Sequence, residues 1–220
     1  MNKKPLLSPM LICLLPALVG AFLYDKLPEQ LPIHWNVAGE IDNYGHKALV
    51  LFGFPIFFMM AELFMYASIT TDPMKQNQSP KVKTLCLWLL PVTLLVVYSI
   101  TVSVAMGYEV NVGGIICLFL GVIFVIIGNY LPKGRQNYTI GYRIPWTLND
   151  AENWNKTHRL AGYLWIVGGL VLIVSALLVH DTVVLAGVTV GLLILCVVPV
   201  LYSVILYRKK NNTCNQKEDE

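Results

Sequence analysis

Charged residues are scarce in this sequence: Asp, Glu, Lys and Arg make up only 13% of its 220 residues, whereas 56% are hydrophobic. A soluble globular domain usually carries about twice that charged share, so an ordinary soluble domain is excluded. The mean hydropathy of +0.61 and the long apolar runs indicate a chain that lies mostly within a membrane.

Cysteine is also sparse, and its placement excludes a disulfide or zinc framework. The chain has five cysteines; four of them lie inside apolar runs, and no two form a CxxC pair. Catalytic signatures are missing as well, since there is no HExxH, no GxSxG and no cysteine beside a histidine. We therefore predict neither an enzyme nor a cofactor, although His158 acting as a base leaves an enzymatic alternative.

Six apolar runs each come close to the 20 or so residues that a transmembrane helix needs. We predict an all-α, polytopic membrane protein whose spans are Leu6–Tyr24, Ala48–Ile69, Thr84–Met106, Gly113–Leu131, Leu160–Val179 and Val183–Tyr207. The first run is alternatively a signal peptide cut after Ala21, because Val19-Gly20-Ala21 offers small residues to a peptidase.

The distribution of charge predicts which way the six spans run. Fourteen of the sixteen Lys and Arg residues lie on one side if the amino terminus is cytoplasmic, and only Lys26 and Lys47 lie on the other. This agrees with the positive-inside rule and predicts an N-in/C-in topology. The outer segments are acidic and carry Asp25, Glu29, Glu40, Asp42, Glu109 and Asp181. They serve either ordinary solvation or the attraction of cationic peptides.

This topology divides the chain into three parts. Residues 1–83 hold two spans, an outer loop at 25–47 and a polar connector, which we interpret as a plain link. Residues 84–207 form a four-span region with a cytoplasmic loop at 132–159. Residues 208–220 are basic and then acidic, and we predict a disordered tail.

The outer loop has the chemistry of an ordered segment. Prolines stiffen it, glycines permit turns and aromatic side chains prefer the headgroup level, so we predict an extended or short-strand segment. Its candidate binding residues are Pro32, His34, Trp35, Asn36 and Gly39. Two histidines and two intervening carboxylates suit zinc in type, but their spacing matches no metal motif, so we expect hydrogen-bonded surface histidines and no metal.

Glu62 is the one acidic residue inside a predicted span. An ionisable group at that depth indicates a functional site. It supports an alternative function, a small secondary transporter that exports a peptide or small solute with Glu62 as the protonatable group. No inverted repeat or pair of broken helices accompanies it. In a second interpretation the span ends sooner and Glu62 lies at the hydrated cytoplasmic edge.

The loop between the fourth and fifth spans is richer in aromatic and cationic residues than a plain connector. Ile140, Tyr142 and Ile144 share a parity, which predicts an extended strip on the membrane surface. Thr147 with Asp150 resembles a capping box and predicts a helix start. The candidate binding or signalling residues of this region are Asn129, Asn137, Gly141, Arg143, Pro145, Trp146, Thr147, Trp154, His158 and Arg159.

On the helix that follows, Trp154, His158 and Trp165 recur at helical spacing and share a face. We expect Trp154 at the membrane interface, His158 and Arg159 near phosphate depth, and a hydrogen bond from Asn129 to another helix. One interpretation of this cluster is an anchor against anionic lipid. The other is a folded binding surface, which the asparagines and the Gly-x-Arg-x-Pro turn favour.

Two motifs resemble a known family. Gly128-Asn129 together with Asn-x-x-x-Gly-x-Arg-x-Pro-Trp-Thr-Leu at Asn137 to Leu148 and Trp-x-x-x-His-Arg-x-x-Gly at Trp154 to Gly162 is similar to the SdpI family of bacterial membrane immunity proteins. The Leu-Pro-x-His-Trp-Asn-x-x-Gly stretch at Leu31 to Gly39 resembles an outer-loop module often found in that family.

The resemblance implies a six-span protein of Firmicute plasma membranes that protects its producer from a secreted cannibalism toxin, a small membrane-active peptide. The implied partners are the lipid bilayer, that peptide and a cytoplasmic transcriptional repressor held at the membrane, with no direct binding of nucleic acid. The peptide would dock against the His34-Trp35 loop, and a helix shift would reach the surface from Arg143 to Arg159. Coupling of this kind is typically about 1–3 kcal/mol.

Overall fold

The computed structural model describes residues 4–36, 38–179 and 182–218. Six helical stretches are long and apolar enough to cross a membrane: Ser8–Lys26, Leu49–Thr71, Pro80–Ala105, Val112–Lys133, Ala151–Leu178 and Ala186–Asn212. The prediction of six spans is confirmed. The fifth begins at Ala151 rather than at Leu160, because Asp150 caps a helix that starts there.

The chain divides into two compact units, each of which holds its own helices. The first comprises Met1–Thr71 and Pro80–Val112, and the second comprises Asp72–Ser79 and Gly113–Glu220. The long helices of the first unit are α1 (Lys4–Leu23), α2 (Phe54–Thr71) and α3 (Pro80–Ala105). The second unit contains α4 (Val112–Tyr130), α5 (Pro145–Asn149), α6 (Ala151–Leu178), α7 (Thr182–Leu195) and α8 (Val198–Glu218).

In the first unit, α1, α2 and α3 pack against one another along a narrow seam. The residues of α1 that are buried there are Pro9, Cys13, Pro16 and Gly20, and those of α2 are Pro55, Glu62 and Ile69. Both sets recur at the three-, four- or seven-residue spacing that keeps one helix face toward its neighbours. A glutamate therefore occupies a seam position where this packing normally places an apolar side chain.

The outer loop folds into an antiparallel hairpin of β1 (Gln30–Trp35) and β2 (Ile41–His46). The side chain of Asn36 closes its turn, because Oδ1 accepts hydrogen bonds from the amides of Ala38 (2.9 Å) and Glu40 (3.0 Å). Gly39 adopts a φ of 80° in the same turn, a conformation that side chains with a Cβ rarely adopt. The predicted short-strand segment is confirmed.

The base of the hairpin joins a hydrophobic core formed by Leu27, Leu31, Val50, Leu51, Tyr98 and Val102. Lys47, at the end of β2, is largely buried. Its ammonium lies 2.8 Å from the Glu29 carboxylate and 4.5 Å from the centroid of the Tyr24 ring. The cation is thus paired on two sides, which offsets the cost of removing it from water.

Glycines bring α4 and α6 into backbone contact in the second unit. A Cβ on Gly128 would lie 2.9 Å from the carbonyl oxygen of Gly162, and one on Gly121 would lie 2.8 Å from that of Gly169. The two glycines of each helix are seven residues apart, so both contacts lie on one face. Small residues are the usual means by which membrane helices approach this closely.

The sixth span is interrupted by a turn at Cys196 and Val197, between α7 and α8. Contacts of Gly168 with Leu192 and of Asn153 with Ser203 show that α6 runs antiparallel to this broken span, as the short connection predicts. Helix α8 continues to Glu218, where we predicted a disordered tail from residue 208. Arg208, Lys209 and Lys210 are good helix formers, whereas the Asn, Thr and Cys residues that follow are weaker ones, so helix propensity accounts only for the start of this extension.

Candidate functional site

The loop between the fourth and fifth spans, here called the motif loop (residues 134–150), is built around Asn137. This side chain is 3% exposed. Its Oδ1 accepts hydrogen bonds from the amides of Thr139 (3.0 Å) and Ile140 (2.7 Å), while Nδ2 donates to the carbonyl of Arg135 at 2.9 Å. One side chain thus closes a tight turn, and the predicted extended strip is wrong because residues 134–144 form bends and no strand.

Asp72, directly after α2, holds this turn from the connector. Its carboxylate accepts hydrogen bonds from Thr139 Oγ1 at 2.6 Å, the Tyr138 amide at 2.9 Å, Gln78 Nε2 at 2.7 Å and the Met74 amide at 2.7 Å. The interpretation of the connector as a plain link is therefore wrong. Asp72 is the only acidic residue of the connector, and this is the sequence feature from which its role could have been predicted.

The electrostatics of Asp72 follow from these contacts. Burial acts to raise the pKa of the carboxyl, but the hydrogen bonds from Thr139, Met74, Tyr138 and Gln78 together hold the pKa below its usual value. Because the lowered pKa belongs to the folded state, ionised Asp72 stabilises the motif loop above the unfolded pKa of about 3.9. That stabilisation is lost as the pH falls through the lower, folded pKa.

We predict that Asp72→Asn destabilises the protein at pH 7 by about 1–3 kcal/mol, because the amide leaves at least one buried donor without an acceptor. The difference from wild type should start to shrink as the pH falls below about 4 and vanish as the pH passes the lower, folded pKa, where wild-type Asp72 also becomes neutral. Thermal unfolding at several pH values measures this. Glu109→Gln is the control, since this carboxylate is exposed and its loss should leave stability near that of wild type, and a pH-independent deficit in Asp72→Asn would contradict the prediction.

His158 is buried beneath the loop with both ring nitrogens engaged. Its Nε2 accepts a hydrogen bond from the Tyr142 amide at 2.9 Å, so the neutral ring carries its proton on Nδ1, which donates to the Trp154 carbonyl at 2.8 Å. Trp154 stacks on the imidazole with ring centroids 3.9 Å apart. Only 1% of His158 is exposed, so the imidazole is engaged within the protein and does not contact lipid headgroups.

Gly141 makes the approach of the loop to His158 possible. Its φ is +107°, and a Cβ there would lie 2.3 Å from His158 Nε2. Backbone conformation and space both exclude a side chain, which explains a glycine at this position of the motif.

Tyr142 connects the motif loop to the break in the sixth span. Its hydroxyl donates to the carbonyl of Cys196 at 3.1 Å and accepts from Trp165 Nε1 at 3.0 Å. The Cys196 carbonyl lies at the interruption between α7 and α8, where a regular helical acceptor pattern ends. Burial raises the pKa of Tyr142 to about 12, so this hydroxyl keeps its proton at physiological pH.

Thr147 fixes the far end of the loop and is fully buried. Its Oγ1 donates to the carbonyl of Tyr142 at 2.6 Å and accepts from the Ile144 amide at 3.1 Å, while Pro145 starts the short helix α5. Thr147 therefore closes α5 and does not cap α6. The cap of α6 is Asp150, whose Oδ1 accepts from the Glu152 amide at 2.9 Å, which corrects the predicted helix start.

Trp154 was expected to anchor the membrane interface, but the structure buries it. The side chain is 1% exposed, and its indole Nε1 donates to the carbonyl of Gly134 at 2.8 Å. The indole therefore joins the start of the motif loop to α6 instead of facing lipid headgroups. Trp146 is half-buried against Tyr207, with ring centroids 6.1 Å apart.

Among the predicted site residues, the exposed polar side chains of this region include those of Arg143, Arg159 and Asn129. Arg143 donates to the Tyr138 carbonyl at 2.7 Å and otherwise faces outward, and Arg159 is exposed on α6. Asn129 accepts from the Lys133 ammonium at 3.0 Å within its own helix segment, so the predicted hydrogen bond across helices is wrong. Exposed cations above a rigid, internally bonded loop suit recognition of a partner better than catalysis.

A polar network that sequence reasoning missed fastens α6 to α8. Asn153 Nδ2 donates to the Ser203 carbonyl at 2.9 Å, and its Oδ1 accepts from Ser203 Oγ at 2.6 Å and from Thr157 Oγ1 at 3.0 Å. The available signal was the four-residue spacing of Asn153 and Thr157, which places both on the buried face of α6.

The remaining candidates lie in the first unit. His34 Nδ1 is 2.6 Å from Asp42 Oδ1 on the exposed hairpin, Pro32 is buried, and Trp35 is half-buried. Glu62 has no exposed surface, and α2 continues to Thr71, so the placement at a hydrated edge is wrong. Among the described residues, no group of three His, Cys, Asp or Glu side chains is arranged to hold a metal ion.

Comparison with known proteins places these features in a family. Residues 133–203 match the SdpI/YfhL protein family, and residues 11–59 match a domain of unknown function, DUF1648. The chain is 30% identical over 215 residues to the immunity protein SdpI of Bacillus subtilis (strain 168), which covers 96% of this chain and 99% of the relative. No solved structure shows significant similarity. The chain is a multi-pass bacterial membrane protein that belongs to the SdpI/YfhL family.

Proposed function

We propose that this protein confers immunity to a secreted, membrane-active antimicrobial peptide. The observation that carries the proposal is the end-to-end similarity to an immunity protein, which extends over both the hairpin region and the motif loop. The packing of the motif supports it, because five motif residues together hold one loop in place and so fix the surface that the loop exposes: Asn137, Gly141, Thr147, Trp154 and His158.

In this proposal the acidic hairpin faces outward and captures the peptide, since both termini are cytoplasmic by the positive-inside rule. The hairpin offers exposed side chains at His34, Asp42 and Tyr44. The Asn36 turn holds them in a fixed arrangement, which lowers the entropy cost of binding. Exposed carboxylates favour a cationic peptide electrostatically.

The motif loop would then take part in the same function from the cytoplasmic side of the membrane. The exposed cations of the motif, Arg143 in the loop and Arg159 on α6, are available to an acidic partner such as a transcriptional repressor held at the membrane. The hydroxyl of Tyr142 reaches the break in the sixth span, so rearrangement of that span changes the support beneath the loop. This contact supports a sensing role in addition to protection.

The proposal is tested by expression in a strain sensitive to the peptide. We expect the wild-type protein to raise the tolerated peptide concentration and Arg143→Ala to lower that gain about tenfold, the equivalent of about 1.4 kcal/mol of lost binding. The variant should insert at the wild-type level, because the Arg143 side chain is exposed. Tolerated concentration and membrane abundance are the two measurements.

Arg135→Ala is the matched control, because this arginine is equally exposed in the same loop but lies outside the motif. If Arg143→Ala and Arg135→Ala both protect as well as wild type, the cationic surface has no part in immunity. If the wild type itself gives no protection against any of several membrane-active peptides, the proposed function fails. Energy-dependent peptide efflux that is abolished in Glu62→Gln would instead support the transporter alternative.

A further inference from the structure

Glu62 is a buried acid that the proposed function does not use. It lies inside the candidate span Leu49–Thr71 and has no exposed surface. Neither carboxylate oxygen has a hydrogen-bond partner in the described part of the protein. Buried carboxylates are normally paired or hydrogen-bonded, because an ion loses its hydration on burial and needs interactions with the protein in its place.

The neighbours of Glu62 offer it no compensating charge. The side chains close enough to interact with it electrostatically are the thiols of Cys13 on α1 and Cys86 on α3. Among the described residues, Glu62 is the only Asp, Glu, Lys or Arg that is buried in the seam of α1, α2 and α3. In this closed packing an ionised carboxylate would be out of contact with water and, among the described residues, would have neither a cation nor a hydrogen-bond partner.

We propose that Glu62 is a proton-binding site that controls the packing of this three-helix seam. With the proton bound, the neutral acid fits the closed arrangement of α1, α2 and α3. Release of the proton to water leaves a carboxylate that needs hydration, so the ionised form requires the seam to open. The ligand of the site is the proton, and this inference stands independently of the immunity function.

The position of Glu62 within α2 supports a packing role. Pro55, Glu62 and Ile69 form one row at seven-residue spacing and are the buried described residues of this helix. Opening at Glu62 therefore acts on the single row by which α2 meets its neighbours. A proline in this row, and Pro9 and Pro16 in the facing row of α1, weaken the backbone hydrogen bonding that would otherwise resist such a change.

Infrared difference spectroscopy of the full-length protein in nanodiscs tests the protonation state. At neutral pH we expect a carbonyl band of a neutral carboxylic acid in the wild type, lost in Glu62→Gln and retained in Glu40→Gln, whose acid is exposed on the hairpin. The band should fade as the pH is raised. Absence of a Glu62-dependent band at neutral pH would overturn the proposal, because the buried acid would then be ionised.

Hydrogen exchange of the α2 backbone tests the second step. At each pH, the exchange rate of wild type is divided by that of Glu62→Gln. Where exchange takes place from the open form, this ratio should rise about tenfold per pH unit, because each unit favours the ionised form tenfold. Dividing by the rate of Glu62→Gln at the same pH removes the ordinary pH dependence of amide exchange. A ratio that stays constant while the carboxylic-acid band disappears would show that protonation does not control the seam.

Discussion

Replacement of Gly141 by alanine is expected to dismantle the motif loop. The new methyl group would lie 2.3 Å from His158 Nε2, at a backbone φ of +107°. Backbone strain of this kind costs about 1–3 kcal/mol, and overpacking a buried contact costs about 1–3 kcal/mol more. We expect a lower melting temperature and faster amide exchange at Tyr142, since the amide loses its acceptor on His158.

Gly134→Ala is the control for this experiment, because it lies in the same loop, and the nearest atom to a Cβ there is the carbonyl oxygen of Leu131 at 3.5 Å. That distance is ordinary van der Waals contact, and the control should retain wild-type stability. Thermal unfolding and hydrogen exchange of purified variants in nanodiscs provide the comparison. Equal protection of the Tyr142 amide in both variants would mean that the loop does not need the close approach at Gly141.

A leucine at Gly162 should separate α4 from α6. A Cβ at this position would lie 2.6 Å from Pro132 Cγ and 2.7 Å from the carbonyl oxygen of Gly128, so even the first carbon of the side chain has no room. We expect a destabilisation of about 3 kcal/mol, at the upper end for overpacking. The motif loop should lose order as well, because it is attached to both helices.

The matched substitution is Gly191→Leu on α7, where no atom of the described residues lies within 4 Å of a Cβ. Leucine is a better helix former than glycine by nearly 1 kcal/mol, so this control should be as stable as wild type or more stable. Unfolding in denaturant, followed by helical circular dichroism, ranks the three proteins. If the Gly162 and Gly191 variants unfold alike, close packing at the glycine contact contributes nothing to stability.

These two glycines give a physical meaning to the family motif. Gly162 allows the fourth and fifth spans to meet, and Gly141 allows the loop between them to reach His158. Trp154 and Tyr142 then attach the loop to α6 and to the break in the sixth span. The motif is therefore mainly a scaffold, and its exposed cations are Arg143 and Arg159.

The number of spans, the hairpin and the general location of the loop were all predictable from the sequence. Long apolar runs must become helices in a membrane, because only internal hydrogen bonding satisfies their backbone. The proline-rich and glycine-containing outer loop excluded a helix and permitted strands. These predictions depend only on residues that are close together in the chain, and the sequence shows those residues directly.

Several of the errors share one cause, which is that they concerned the partner of a polar side chain. Trp154 was expected to anchor the membrane interface from its residue type, whereas the fold buries it against the loop. Asn129 was given a partner on another helix and has one on its own. Residue type states what a group can bond, but only the fold states what lies within reach.

The sequence alone therefore determined that this is a six-span membrane protein with a motif loop, because span length and hydropathy are local properties. The tertiary structure alone decided that Asp72 holds that loop, since Asp72 and Thr139 lie 67 positions apart, and that Glu62 is buried with no hydrogen-bond partner among the described residues. Contacts between distant segments form only when the chain folds, and burial is a property of those contacts.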